Sequence, residues 1–199
     1  MAGARRRRVG LLGGSFDPPH AGHLWMARRA HALWSLDEVW LVPAHHPPHK
    51  DADRQTPFAQ RAALARVLVE SSGEDWLRVD AIEAERPGPS YSLDTVRALK
   101  ARHGATQRFA LILGADSLAD LDGWHEPAQL CAEVELLVLA REGSPTPARW
   151  PHRLAAGETH PAQSRVIRGC LAAGRETPWL PAAVAAAARR AGLYRKEAP

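Results

Sequence analysis

The chain has 199 residues, 45% hydrophobic and 24% charged, which fits one globular domain with a sizeable core and excludes a collagen-like, low-complexity or disordered chain. No apolar run approaches the ~20 residues of a membrane helix. Two cysteines, Cys131 and Cys170, are too few for a disulfide framework, so a reducing cytoplasm is the expected compartment.

The net charge of +4 comes from Arg5, Arg6, Arg7 and Arg8; elsewhere basic and acidic residues balance. The run reads as a solvated basic tail over residues 1–8 rather than a basic face, so neither nucleic acid nor a membrane is an expected partner. It does not open a secretory signal either, because only Val9-Gly10-Leu11-Leu12 separates it from two glycines.

That apolar run reads as a buried strand entering a loop. Apolar positions 24, 27, 30 and 34 have helical spacing, and Val39 to Val42 is a second buried strand. Thr56 and Pro57 read as the cap and first position of a helix that carries Phe58, Ala62, Ala65, Leu68 and Val69 on one face. Trp76 to Ile82 reads as a strand. Ser92 is expected to cap a helix to His103, with Gly104 as its stop. Phe109 to Leu113 and Val134 to Ala140 are further strands. Residues 143–163 are the least regular part. Ser164 is expected to cap a short helix closed near Gly174, and Pro181 to Ala191 is the last helix. Short apolar strands alternating with helices imply a parallel sheet covered on both faces. In such sheets ligands bind beyond the carboxyl ends of the strands.

The first of those loops reads Gly13-Gly14-Ser15-Phe16-Asp17-Pro18-Pro19-His20-Ala21-Gly22-His23. Paired glycines let a backbone approach a ligand closely. A helix starting near Ala21 offers free N–H groups and its positive dipole end to a phosphate. His20 and His23, three residues apart, share a face of its first turn and can donate hydrogen bonds to one anion. Six of the ten histidines lie between positions 20 and 49, which would also suit a metal hydrolase or metal-binding protein. Their spacing lacks a zinc signature, however, and leaves the glycine-rich loop unexplained. A non-catalytic nucleotide-binding module is the other alternative, separable by assaying turnover against binding.

The stretch Gly13 to His23 resembles the signature of the HxGH nucleotidylyltransferases, and among them the bacterial nicotinate mononucleotide adenylyltransferases. Pro47-Pro48-His49-Lys50 is similar to that family's second motif. Lys50 is one of three lysines beside 23 arginines, and its compact ammonium suits a phosphate. Tyr91-Ser92-Leu93-Asp94-Thr95 resembles the Tyr-Thr/Ser-x-Asp-Thr segment, and Gly114-Ala115-Asp116 the Gly-x-Asp motif. Trp124 matches the tryptophan that stacks on the pyridine ring, and Arg141 an arginine after a late strand. The C-terminal motif departs from the pattern: Gln163-Ser164-Arg165-Val166-Ile167-Arg168 stands where the family has Ser-Ser-Thr-x-Ile-Arg. The likeness covers residues 9 to 194 and is weakest from 143 to 165.

The resemblance implies one α/β domain over 1–199, a Rossmann-like doubly wound parallel sheet with helices on both faces. Residues 164–194 would form a C-terminal helical part completing an ATP site. It implies transfer of the adenylyl group of ATP to nicotinate mononucleotide in NAD biosynthesis, with Mg²⁺ accompanying ATP and no protein-held metal. It assigns His20, His23, Lys50 and Arg168 to catalysis. Gly13, Gly14, Ser15, Phe16, Gly114, Asp116, Ser164 and Ile167 would join His20, His23 and Arg168 around ATP. Asp17, Lys50, Tyr91, Ser92, Thr95, Trp124 and Arg141 would hold the acceptor. Oligomeric state stays open, a homo-oligomer included.

Overall fold

The computed structural model describes residues 5–48, 55–141 and 149–195. Among these residues six strands, β1 (Arg7–Gly14), β2 (Glu38–Pro43), β3 (Leu77–Val79), β4 (Gln107–Gly114), β5 (Glu135–Arg141) and β6 (Arg153–Gly157), form one sheet in the order β3-β2-β1-β4-β5-β6. Every pairing is parallel. This is the doubly wound order of the Rossmann fold, in which the chain changes direction across the sheet between β1 and β4.

Among the described residues, seven α-helices cover the two faces: α1 (Ala21–Trp34), α2 (Phe58–Ser72), α3 (Ser92–His103), α4 (Ala115–Ala119), α5 (Pro127–Glu133), α6 (Ser164–Ala172) and α7 (Ala182–Arg190). The period of two along each strand divides its residues between two cores. Leu12, Val39, Leu41, Ala110, Ile112, Leu137 and Leu139 pack beneath α1, α2, α6 and α7. Val9, Leu11, Trp40, Val42, Phe109, Leu111, Leu113, Leu136 and Val138 pack beneath α3, α4 and α5. Gly10 lies at a close approach: a Cβ there would stand 2.6 Å from Leu36 Cδ1 and 2.7 Å from Ile112 Cδ1.

Several boundaries differ from the sequence expectation. Arg7 and Arg8 are not tail: they are strand residues, paired with Gln107 and Arg108. The strand expected over 76–82 is only Leu77–Val79, followed by a 3-10 turn over Ile82–Glu85. An edge strand, β6, lies in the segment expected to be least regular; its residues Arg153-Leu-Ala-Ala-Gly157 are partly exposed, and its apolar stretch, Leu154-Ala155-Ala156, is short. The three expected side-chain caps do not form. Pro57 is the N-cap of α2, Tyr91 of α3 and Gln163 of α6, none with a capping side-chain bond. Ser92 and Ser164 are instead the first helical residues, and the Ser164 hydroxyl donates to Pro18 O at 3.1 Å. No helix among the described residues is long and apolar enough to cross a membrane.

Candidate active site

The switch between β1 and β4 brings the β1–α1 loop beside Gly114 and the start of α4. Two cavities open there. One, of about 450 Å³, is lined by Gly13, Gly14, Ser15, Tyr91, Ser92 and Trp124, with Glu83 at its wall. The other, of about 550 Å³, is lined by His20, Gly22, Trp25, Leu139, His160 and Gln163. His23, Met26, Gly114 and Asp116 belong to both, so the cavities meet along a seam at the carboxyl ends of the central strands.

The seam is set by an unusual helix cap. His20 is the N-cap of α1, and its Nδ1 accepts the Gly22 N–H at 3.2 Å. His23 answers reciprocally, its Nδ1 accepting the His20 N–H at 3.1 Å. This is a capping box built from imidazoles. The two rings lie 3.8 Å apart between centroids. Because each Nδ1 is an acceptor, each neutral ring carries its hydrogen on Nε2. His20 is buried, and burial first, then the neighbouring His160, lowers its pKa to about 4. Unfolded histidines titrate near ~6.5, so the unfolded chain takes this proton more readily. The group's contribution to stability is complete above that pH and is withdrawn as pH falls toward 4.

The loop that carries this cap is tied down carbonyl by carbonyl. Gly14 O accepts from Ala44 N at 2.8 Å, Ser15 O from Arg61 Nη1 at 2.7 Å, Pro18 O from Ser164, and Asp17 O from Arg168 Nη1. The Asp17 carboxylate is buried; it accepts the Tyr194 hydroxyl at 2.8 Å and the Thr56 N–H at 3.3 Å. Burial and this carboxylate push the Tyr194 hydroxyl's pKa up. Phe16 sits in the left-handed region at φ 50°, fully buried against His23 with centroids 4.7 Å apart. Such backbone strain in a non-glycine residue persists only where its surroundings enforce it.

Of the residues singled out in the sequence, Gly13, Gly14, Ser15, His20, His23, Tyr91, Ser92, Gly114, Asp116 and Trp124 line the two cavities. Tyr91 stacks on His125, 4.2 Å between centroids. Phe16, Asp17, Thr95, Ser164, Ile167 and Arg168 line neither. Ile167 is wholly buried in the core. The Thr95 hydroxyl is buried and donates to Glu83 Oε1 at 2.8 Å. Arg141 ends β5; its side chain, like Lys50 and His49, lies outside the described residues.

Sequence reading missed Arg61, Glu83, Ser90, His160 and Tyr194. Arg61 is 1% exposed, and its guanidinium donates to Thr56 O at 2.7 Å, Ser15 O at 2.7 Å and His45 O at 3.4 Å. It thereby fastens the β1–α1 loop to the β2–α2 loop. The Ser90 hydroxyl and Glu83 Oε2 accept the N–H groups of His45 and His46 and fasten that loop in turn to the approach to α3. Among the described residues, no three His, Cys, Asp or Glu side chains cluster as a metal cage. Asp116 lies where the two cavities meet, and a single carboxylate there suits a hydrated cation that takes one or two protein ligands.

Replacing Arg61 by Met keeps the volume but strands three carbonyls. Unmet buried acceptors cost about 1–3 kcal/mol each, so Arg61→Met is expected to lower unfolding stability by more than about 3 kcal/mol in urea titration. A loss below about 0.5 kcal/mol would show that the clamp carries no weight.

Comparison with known proteins agrees with this geometry. Residues 11–174 match the cytidylyltransferase-like family. A Salinibacter ruber protein named "Probable nicotinate-nucleotide adenylyltransferase" is 38% identical over 94% of this chain and 97% of its own length. The nicotinate-nucleotide adenylyltransferase of Bacillus subtilis is 32% identical over 94% and 98%. In fold, the chain is similar to a Plasmodium falciparum nicotinic acid mononucleotide adenylyltransferase complexed with NaAD: TM-score 0.79, 18% identity, 95% of this chain and 98% of that one. The chain belongs to the cytidylyltransferase-like family and, within it, to the nicotinate-nucleotide adenylyltransferases.

Proposed function

We propose that this chain transfers the adenylyl group of ATP to nicotinate mononucleotide, giving deamido-NAD and pyrophosphate. The observation that carries the reading is the imidazole pair at the seam of two cavities, with both Nδ1 atoms engaged by backbone, which puts the hydrogen of each neutral ring on Nε2. The 450 Å³ cavity takes the acceptor: Trp124 and Tyr91 offer faces to a flat ring, and the start of α3 at Ser92 offers uncapped N–H groups to a carboxylate. The 550 Å³ cavity takes ATP, with its phosphates at His20, His23 and Gly114.

The chemistry then needs no general base. A phosphomonoester has its second pKa near ~6 and is mostly dianionic at pH 7. One of its oxygens attacks the α-phosphorus; the bond to the β-phosphate oxygen breaks and pyrophosphate leaves with that electron pair. The protein holds two anions in line and stabilises charge on the α-phosphate. Neutral His20 does so as a hydrogen-bond donor, not as a cation, so positive charge falls to Lys50; Arg168, whose guanidinium is turned onto Asp17, holds the β1–α1 loop instead of meeting the phosphates. Asp17 and Thr95 act by holding the loops. Mg²⁺ accompanying ATP, next to Asp116, would neutralise charge on the β- and γ-phosphates.

Asn is among the preferred N-cap residues, so His20→Asn preserves the cap while deleting the imidazole donor. It is expected to lower kcat by about 10²–10³, the scale of a lost charge-stabilising donor, with an unchanged thermal midpoint. A near-normal kcat would refute the role. Pyrophosphate release assayed with ATP and each mononucleotide is expected to give a higher kcat/KM for nicotinate than for nicotinamide mononucleotide. Equal or reversed values would overturn the acceptor assignment.

A further inference from the structure

The amino-terminal edge of the sheet carries a recess that adenylyl transfer does not use. It measures about 900 Å³ and is lined by six cationic side chains and two carboxylates, Glu133 and Glu135. Arg5, Arg6 and Arg8 enter it from the start of β1, Arg108 from β4, Arg153 from β6 and Lys100 from the last turn of α3. Arg7 and Arg8 of the arginine run thus belong to the sheet, while Arg5 and Arg6 stay exposed at the recess.

Cations at this edge have an ordinary role, because helices of a parallel sheet end here and expose carbonyl groups. Lys100 fills that role, donating to Glu133 O at 2.6 Å. Arg8 donates to Trp34 O at 2.7 Å, Arg5 pairs with Asp37, and Arg153 stands 3.7 Å from Glu135. Arg6 and Arg108 do nothing of the kind. Among the described residues their side chains have no ionic or hydrogen-bonded partner, yet both face the recess. Two unpaired guanidinium groups in a concave site with excess positive charge mark a place for an anion.

We propose that this recess is a second binding site, for a small molecule bearing a chain of two or more phosphates. Guanidinium forks match phosphate oxygens bidentately. The volume lies at the upper end of the range that small ligands occupy. Nucleic acid fits less well, since it asks for a basic stripe along a surface, whereas these cations converge on one recess backed by acids. β1 and β4 run from the recess to Gly14 and Gly114, so about 23 Å of strand, at ~3.3 Å per residue, separates it from the seam.

The test is calorimetric titration of sodium tripolyphosphate into three proteins: wild type, Arg6→Glu/Arg108→Glu, and the equal-charge control Arg66→Glu/Arg190→Glu at exposed positions elsewhere. Wild type and control are expected to show one more site per chain than the recess variant, weakening with added salt. The recess variant should keep its thermal midpoint and its pyrophosphate-release rate. In a parallel titration, GTP filling the same site more tightly than tripolyphosphate assigns the ligand to nucleotides, and equal binding assigns it to the phosphate chain itself. An unchanged number of sites in the recess variant, or an equal loss in the control, overturns the proposal.

Discussion

The hydrogen bond from Gly22 N–H to the His20 imidazole, 3.2 Å long, is the constraint on which the site depends. Helices are usually capped by a hydroxyl, carboxamide or carboxylate. A histidine in that place must be neutral to accept, and burial keeps it so. Capping therefore fixes a tautomer, and the tautomer fixes a donor. The reciprocal bond from His20 N–H to His23 does the same for the second ring. Local helix chemistry thus specifies two oriented donors at the seam of the two cavities.

A cap of this kind works only if the loop before it cannot move. Four segments remote in sequence hold that loop: the exit of β2, the entry and first turns of α2, α6, and the C-terminal turn carrying Tyr194. Asp17 is the hub, joining Tyr194, Thr56 and Arg168 around one buried carboxylate. Arg61 acts similarly through backbone acceptors. Its burial is tolerated because three carbonyls meet its donors and Asp17 and Glu83 supply opposing charge. The folding of the C-terminal helices is thereby coupled to the geometry of a loop 150 residues away in sequence, as the Ser164 and Arg168 bonds show.

Much of this was legible in the sequence, for identifiable reasons. The central strands announced themselves because a parallel sheet buried on both faces needs continuous apolar runs. The β1–α1 loop was legible because its functional residues are contiguous, from Gly13 to His23. β6 escaped because an edge strand needs no such run. Arg61 did leave a signal: positions 58, 61, 65 and 68 form one stripe of α2, so the charge falls on its buried face. Glu83 and Ser90 left none, since they act on backbone groups of a distant loop, which no side-chain pattern encodes, and Tyr194 left none because its partner, the Asp17 carboxylate, lies 177 positions away. The expected Ser92 and Ser164 caps failed because both hydroxyls sit one residue inside their helices.

The central claim concerns the protonation state and tautomer of His20. It is tested most directly by ¹⁵N-resolved imidazole NMR of the free protein as pH is lowered from 8 to 4. The account predicts a neutral Nε2–H ring throughout the range above pH 5, with proton uptake only near 4. An imidazolium at pH 7, or a hydrogen on Nδ1, would contradict it.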